Sequence, residues 1–318
     1  MTTLIFTHDD CLEHRPGPQH PESPARLMAV RRALKAPAFA ELQWRDAPLG
    51  THAQLLRVHT AAYVDEVETL APSEGYQALD AGDTVMSPGT WQAVMRCVGA
   101  ACAGVDAVIG GEADSVFCAT RPCGHHAEAD RAMGFCVFNQ AAIAAMHARH
   151  AHGIERIAVM DFDVHHGNGT QNSFYKDPQL FYGSSHQAPF YPGTGARSES
   201  GVAGNIVNIP LANGCDSAEF RQRISAEMLP ALRRFRPQLL IMSAGFDAHH
   251  LDPLGGLGLT DDDFHWVTAE LMAVAAEFAQ GRVVSVLEGG YSLHALASAS
   301  AAHVNALMGR SADGGAAQ

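Results

Sequence analysis

Residues 159–169 read V-M-D-F-D-V-H-H-G-N-G, and the apolar approach I-A-V-M over residues 157–160 ends abruptly in acids, histidines and glycines. A buried parallel strand looks like this when it delivers polar groups to the carboxyl edge of its sheet, where open α/β proteins place ligands. Side chains alternate along an extended strand, so Asp161, Asp163 and His165 share one face while Phe162 and Val164 take the other. An isolated D-x-D is more often a solvated strand end. Here H-H-G-N-G follows it and a second strand repeats the design, which turns the reading towards a metal half-site of oxygen and nitrogen donors.

That second strand is Q-L-L-I-M-S-A-G-F-D-A-H-H, residues 238–250, with Asp247 emerging past its carboxyl end. Residues 115–120, S-V-F-C-A-T, form another buried strand that opens into R-P-C-G-H-H-A, where Pro122 and Gly124 make a rigid turn and His125 and His126 reach the same edge. The last strand, V-V-S-V-L-E-G-G-Y over 283–291, brings Tyr291 there too. Two carboxylates and one imidazole leave a coordination position for water and substrate, a catalytic rather than a structural arrangement. Zinc suits this donor set best, and iron(II) is compatible with it. The tandem histidines point to general acid/base work.

Composition narrows the class. A chain of 318 residues with 47% hydrophobic content can bury a large core, and one catalytic domain over 1–318 is expected, with a frayed tail over 309–318. A formal net charge of -13 argues against nucleic acid or an anionic membrane as partner, since either needs a basic stripe. The seven cysteines are scattered without a C-x-x-C pair, as in reduced cytoplasmic thiols. The start lacks a basic segment followed by an apolar one, and no run approaches ~18 apolar residues, so a soluble, unexported, cytoplasmic protein is expected. Homo-oligomerisation stays open. Eighteen histidines are the one compositional oddity.

The remaining elements follow from periodicity and punctuation. A short strand over 4–7 precedes a proline-rich loop and a helix capped by Ser23 that runs to Ala36; Arg26 just inside it reads as a surface or ion-pair residue. Residues 52–70 carry helical spacing, 71–84 read as loop, and 91–109 form an Ala-rich helix closed by glycines. A helix to about His150, a short helix over 167–176, strands over 180–186 and 205–211, an amphipathic helix over 216–235, and a helix over 261–280 capped by Thr260 complete the βα alternation before the last helix. The loop over 188–201 is long and rich in Gly, Pro and Ser, with two exposed-looking aromatics, and loops of that length usually shape a site. His249 and His250 read as rim or surface, His166 as lying just behind the metal, and Cys123 and Cys136 as packing.

Taken together, R-P-C-G-H-H-A, D-F-D-V-H-H-G-N-G-T, S-A-G-F-D-A-H and L-E-G-G-Y, with H-P-E-S-P-A-R near the start, resemble the histone deacetylase superfamily, closest to its class II branch and bacterial relatives. The resemblance implies a three-layer α/β fold of the arginase/deacetylase kind, with a mostly parallel eight-stranded sheet. It implies that Asp163, His165 and Asp247 hold zinc, that His125 and His126 activate water and protonate the leaving amine, and that Tyr291 donates to the oxyanion. Asp161 and Asn168 match the partners that orient the two histidines; an Asn at 168 leaves His126 a neutral partner, so less strongly held as imidazolium. It also implies potassium at Asp161, Asp163, His165, Ser184 and Ser185, and a second potassium at Phe174, Asp177, Leu180 and Asn205, supplied mainly by carbonyls. Phe135 and Tyr191 would flank a channel for an acyl-lysine arm, Gly134 would accept from its amide, and Leu254 falls where polyamine-selective relatives can carry an acid. The implied substrates are acylated lysine peptides and proteins, or acetylated polyamines.

Three rivals remain at this level: an acetylpolyamine or other small-amide hydrolase on the same metal, an arginase-like binuclear manganese enzyme, and a non-catalytic acyl-lysine or dinucleotide module. Ala-His-His after Asp247, in place of another aspartate, weighs against a second catalytic ion. G-N-G-T-Q-N lacks the third glycine of a pyrophosphate loop, and Tyr291 and His126 would be superfluous in an inert reader.

Overall fold

The computed structural model describes residues 1–312. Its strands are β1 (Thr3–Thr7), β2 (Gln43–Asp46), β3 (Gln77–Ala78), β4 (Val85–Met86), β5 (Ser115–Cys118), β6 (Ile157–Asp161), β7 (Leu180–Gln187), β8 (Ile206–Leu211), β9 (Leu239–Ala244) and β10 (Val283–Leu287). Eight of them form one sheet in the order β2-β1-β5-β10-β9-β6-β7-β8, with every neighbouring pair parallel. β3 and β4 make a separate antiparallel ribbon.

Alternate residues of the same strands feed two different cores, which is why the strands read as unbroken apolar runs. Ile5, Phe117, Ala158, Met160, Leu240 and Met242 face the helices Pro24–Leu34, Asp261–Phe278 and Leu293–Leu307. Leu4, Phe6, Val116, Ile157, Val159 and Ile241 face Thr90–Ile109 and Gln140–His152. The result is a three-layer α/β fold. The four central strands β5, β10, β9 and β6 all run the same way, so the segments after them open at one edge.

Several elements differ from the sequence reading. β2 was not anticipated: Q-W-R-D is largely exposed on an edge strand, so no apolar alternation marks it. Residues 71–84, read as loop, contribute to the β3–β4 ribbon. The stretch 52–70 is two helices, His52–Leu55 and Ala61–Leu70, broken where Thr60 donates its backbone N–H to Ala129 O at 2.8 Å. Ser23 occupies the cap position of its helix without a side-chain capping bond. The helix from Ser217 to Phe235 widens into a π turn at Ile224–Met228, two residues before Pro230, whose missing N–H forbids the regular ladder.

Against the expectation that no stretch approaches a membrane span, the helix Thr90–Ile109 has that length and apolar content, but most of its residues are buried inside the fold. Of the expected frayed tail, residues 313–318 lie outside the described residues. Arg310 is held, donating to Ala38 O at 2.6 Å and pairing with Glu41 at 3.0 Å.

Candidate active site

β6 ends at Asp161, and the chain then turns through Asp163 to His165. His165 Nδ1 lies 3.0 Å from Asp163 Oδ1 and 3.2 Å from Asp247 Oδ2, Asp247 coming from the segment after the neighbouring β9. The other carboxylate oxygens are tied to the backbone: Gly289 N donates to Asp163 Oδ2 (2.8 Å) and Val164 N to Asp247 Oδ1 (2.8 Å). Two glycines make room for these carboxylates. A Cβ on Gly245 would stand 2.1 Å from Asp163 Oδ2, and one on Gly289 would stand 2.0 Å from Asp247 Oδ2.

Asp247 Oδ2 is fully buried and accepts no hydrogen bond. Such an oxygen is costly unless something positive faces it. Burial and the Asp163 charge push the Asp247 carboxyl up to about 7, while the two neighbouring acids outweigh burial and hold His165 up to about 10. Two carboxylates and one imidazole converging with an orphaned oxygen fit a divalent cation, and these three residues are the ones able to hold it.

The tandem histidines stand beside this trio on the turn after β5. Gly124 N and His125 N both donate to the buried Glu288 carboxylate, at 2.7 and 3.2 Å, which ties their turn to the end of β10. His125 Nδ1 is 3.0 Å from Asp161 Oδ2, an oxygen that also accepts from the Tyr182 hydroxyl. His126 Nδ1 is 2.9 Å from Asn168 Oδ1. The Asn168 amide nitrogen donates to Glu128 at 2.7 Å, which fixes its oxygen towards His126. His126 therefore carries its proton on Nδ1, leaving Nε2 as a lone pair. Burial opposes charge on both rings. For His125 the Asp163 and Asp161 carboxylates prevail and hold its pKa well above the ordinary value, whereas for His126 burial is reinforced by repulsion from His125 and His165, and its pKa falls well below.

His126, His165 and Tyr291 face one cavity of about 390 Å³, walled by Gly134, Phe135, Phe190, Tyr191 and Leu254. Phe190 stacks on the His165 ring at 5.3 Å, Tyr191 meets His126 edge-on at 5.1 Å, and Phe135 meets Tyr291 at 5.9 Å. Behind Tyr291, Arg26 places its guanidinium 4.9 Å from the ring centroid and donates to the carbonyls of Gly290 and Glu288. Arg26, read as a surface or ion-pair residue, is a fully buried partner of Glu22 at 2.9 Å.

Sequence reasoning missed Asp83, which lines the mouth, and Glu288. The first had a local signal in D-A-G-D-T, where the Asp80 carboxylate accepts from the N–H groups of Gly82, Asp83 and Thr84, and Thr84 Oγ1 in turn accepts from Phe135 N at 3.1 Å. Glu288 was hidden because nothing local distinguishes a buried acid from an exposed one.

Other expectations fall as follows. His249 is buried against Phe264 rather than on the rim, and it stands outside the trio. His166 is held by Thr194 and Gln171, outside the cavity lining. Cys123 and Cys136 are buried side by side, Sγ to Sγ 3.4 Å. Of the residues expected around the first potassium, Ser184 is the register partner of Asp161. At the expected second potassium shell, Asn205 contributes its side chain rather than a carbonyl. The centre onto which the carbonyls of Phe174, Asp177 and Leu180 converge is filled by the Asn205 side-chain nitrogen, at 3.1, 3.1 and 2.8 Å.

Comparison with known proteins agrees with this geometry. Residues 20–307 match the histone deacetylase domain. The chain is 38% identical to a histone deacetylase-like amidohydrolase of Pseudomonas aeruginosa over 91% of its own length and 82% of the relative's. It is 38% identical to the chloroplastic histone deacetylase 14 of Arabidopsis thaliana, over 96% and 77% respectively. The crystal structure of the HDA15 HD domain superposes with a TM-score of 0.91 at 32% identity, covering 97% of this chain and 90% of that one. The fold and the family match define a deacetylase-type hydrolase. The chain belongs to the histone deacetylase family.

Proposed function

We propose that the protein is a zinc-dependent deacylase that removes acetyl or related acyl groups from the side-chain amine of lysine. The observation that carries this reading is the one cavity that His126, His165 and Tyr291 face, His165 being a member of the Asp163–His165–Asp247 trio. Zinc bound by that trio supplies Lewis acidity to water and to the substrate carbonyl.

The chain's own groups divide the remaining work. The aromatic walls of Phe135, Phe190 and Tyr191 take an unbranched aliphatic arm and exclude water around it, and the Gly134 carbonyl accepts from the scissile amide N–H. His126, neutral and presenting Nε2, takes the proton from attacking water and returns it to the leaving nitrogen, a role worth about 10²–10⁴ in rate. His125, held as imidazolium by Asp161, contributes positive potential as negative charge develops. Tyr291 donates its hydroxyl proton to the carbonyl oxygen as that oxygen becomes anionic. Asp161, Asp163, His165, Ser184 and Ser185 are the group expected to hold one potassium.

Asp83 at the mouth supports a second reading, a small acylated polyamine whose free amine pairs with that acid, whereas Leu254 offers such an amine no charge partner. The deciding experiment is a panel of acetyl-lysine peptides, longer acyl-lysine peptides and acetylated putrescine and spermidine, run on protein of measured zinc content. Peptide turnover scaling with zinc content is expected. Preference for the acetylated polyamines selects the second reading, and no hydrolysis of any amide by zinc-loaded protein overturns both.

A further inference from the structure

Three main-chain carbonyls, from Phe174 at the end of the helix Asn168–Phe174, from Asp177 in the turn after it, and from Leu180 at the start of β7, aim at one point. A helix C-terminus leaves its last carbonyls without intrahelical partners and carries partial negative charge. Phe174 O and Asp177 O each also accept a turn N–H, from Asp177 and Leu180, but the convergence of three carbonyl oxygens still calls for a donor or cation at the centre. The chain puts its own carboxamide there: Asn205 Nδ2 lies 3.1, 3.1 and 2.8 Å from the three oxygens, and the side chain is buried.

The orientation is fixed from the other side. Ala203 N donates to Asn205 Oδ1 at 3.2 Å, so a flipped amide would set its oxygen against three carbonyls and its nitrogen against an N–H. Gly201, at φ +69°, leaves space for that oxygen, since a Cβ there would stand 2.5 Å from it. The amide is thus gripped at both ends, and an NH₂ with two protons serves three acceptors.

We infer that Asn205 is a built-in substitute for a monovalent cation, so that this carbonyl cage binds no potassium in the native protein. The amide joins the entry to β8, the start of β7 and the end of the helix whose first residue, Asn168, holds His126. This inference is independent of the reaction assigned to the site.

The test compares crystals of the zinc-loaded wild-type protein and of Asn205→Asp, both soaked in thallium(I) as a potassium stand-in. The aspartate is isosteric but places a fourth oxygen at the centre, which converts the cage into a cation site. The expected result is no anomalous density within the cage in the wild type and a peak there in Asn205→Asp. In solution the variant should melt about 5 °C higher in potassium than in tetramethylammonium at equal ionic strength, beyond any response of the wild type. If Asn205→Asp does not fold in either salt, Asn205→Ala, which vacates the same point, is read by the same two measurements. Thallium in the wild-type cage with the carboxamide displaced overturns the inference, as does a foldable variant that recruits no ion. A peak beside Asp161 and Ser184 in either protein reports the other expected potassium position and leaves the cage result unaffected.

Discussion

At the scale of single residues, the trio depends on side chains that are absent as much as on those present. Gly289 is a glycine because a methyl group there would enter the space of Asp247 Oδ2 at 2.0 Å and Asp163 Oδ2 at 2.6 Å. Gly289→Ala should therefore weaken metal affinity by about 10–100-fold, the scale on which displaced supporting groups act. Competition with a chromogenic chelator measures it, and unchanged affinity would show that the carboxylates have more freedom than this packing allows. Asp247→Ala should lose the metal outright, whereas Tyr291→Phe and His126→Ala should keep it stoichiometrically and lose ~100-fold or more of turnover. Metal analysis beside single-substrate kinetics separates the two classes. Asp163 and His165 stood out in the sequence because they follow an unbroken apolar strand, although β6 ends at Asp161 and a bend, not strand alternation, brings them to the site. The glycines that admit them did not, because what a missing Cβ avoids is a contact across strands.

Elements hold the site through backbone clamps that leave no periodic trace. Asp252, buried in the loop after β9, accepts from Tyr291 N at 2.6 Å and Ser292 N at 3.0 Å through one oxygen, and from Leu254 N at 3.0 Å through the other. One carboxylate thus ties the segment after β10, which carries Tyr291, to the loop that carries Leu254. Asp252→Asn can accept at one end of the amide only, leaving one or two N–H groups unpaired at about 1–3 kcal/mol each. Turnover should fall about 10–100-fold through misplacement of the Tyr291 ring while zinc content stays at one per chain. Full turnover in that variant would show that Arg26, behind the same ring, fixes it alone.

The strands that bear chemistry were legible because burial on both faces makes them apolar throughout, and the polar residues at their tips stand out against that background. The edge strand β2 and the β3–β4 ribbon carry no such contrast. Asn205 shows the same limit in a side chain. Its position beside three carbonyls was foreseen, but the direction of its amide depends on Ala203 and Gly201, which no sequence pattern ties to it.

Across the whole molecule, most of the eighteen histidines lie outside the cavity, and several are buried as neutral hydrogen-bonding groups. His59 accepts from Asn139 N at Nε2 and faces Glu128 O with Nδ1; His303 bridges the hydroxyls of Thr268 and Ser285; His186 spans Ser184 and Gly195 O. A proton added to His59 would set N–H against N–H. Burial lowers these groups from 6.5 to about 4 for His59 and about 3 for His186 and His303. The unfolded chain therefore binds protons that the folded one refuses. Stability must fall as pH drops below 6.5 and continue falling until the folded groups titrate at about 3–4. At pH 5 each histidine costs about 2 kcal/mol. Glu288 runs the other way: burial raises it to about 7, so its folded form takes up a proton first and returns a comparable amount. Over these four groups the loss between pH 7 and pH 5 is about 4 kcal/mol, set against a total stability of about 5–15 kcal/mol. Urea midpoints at pH 7, 6 and 5 and fixed ionic strength should decline accordingly. His59→Gln, whose amide can accept from Asn139 and donate to Glu128 without titrating, should recover about 2 kcal/mol of that decline. A His59→Gln slope equal to the wild type's would mean that His59 takes up a proton in the folded state.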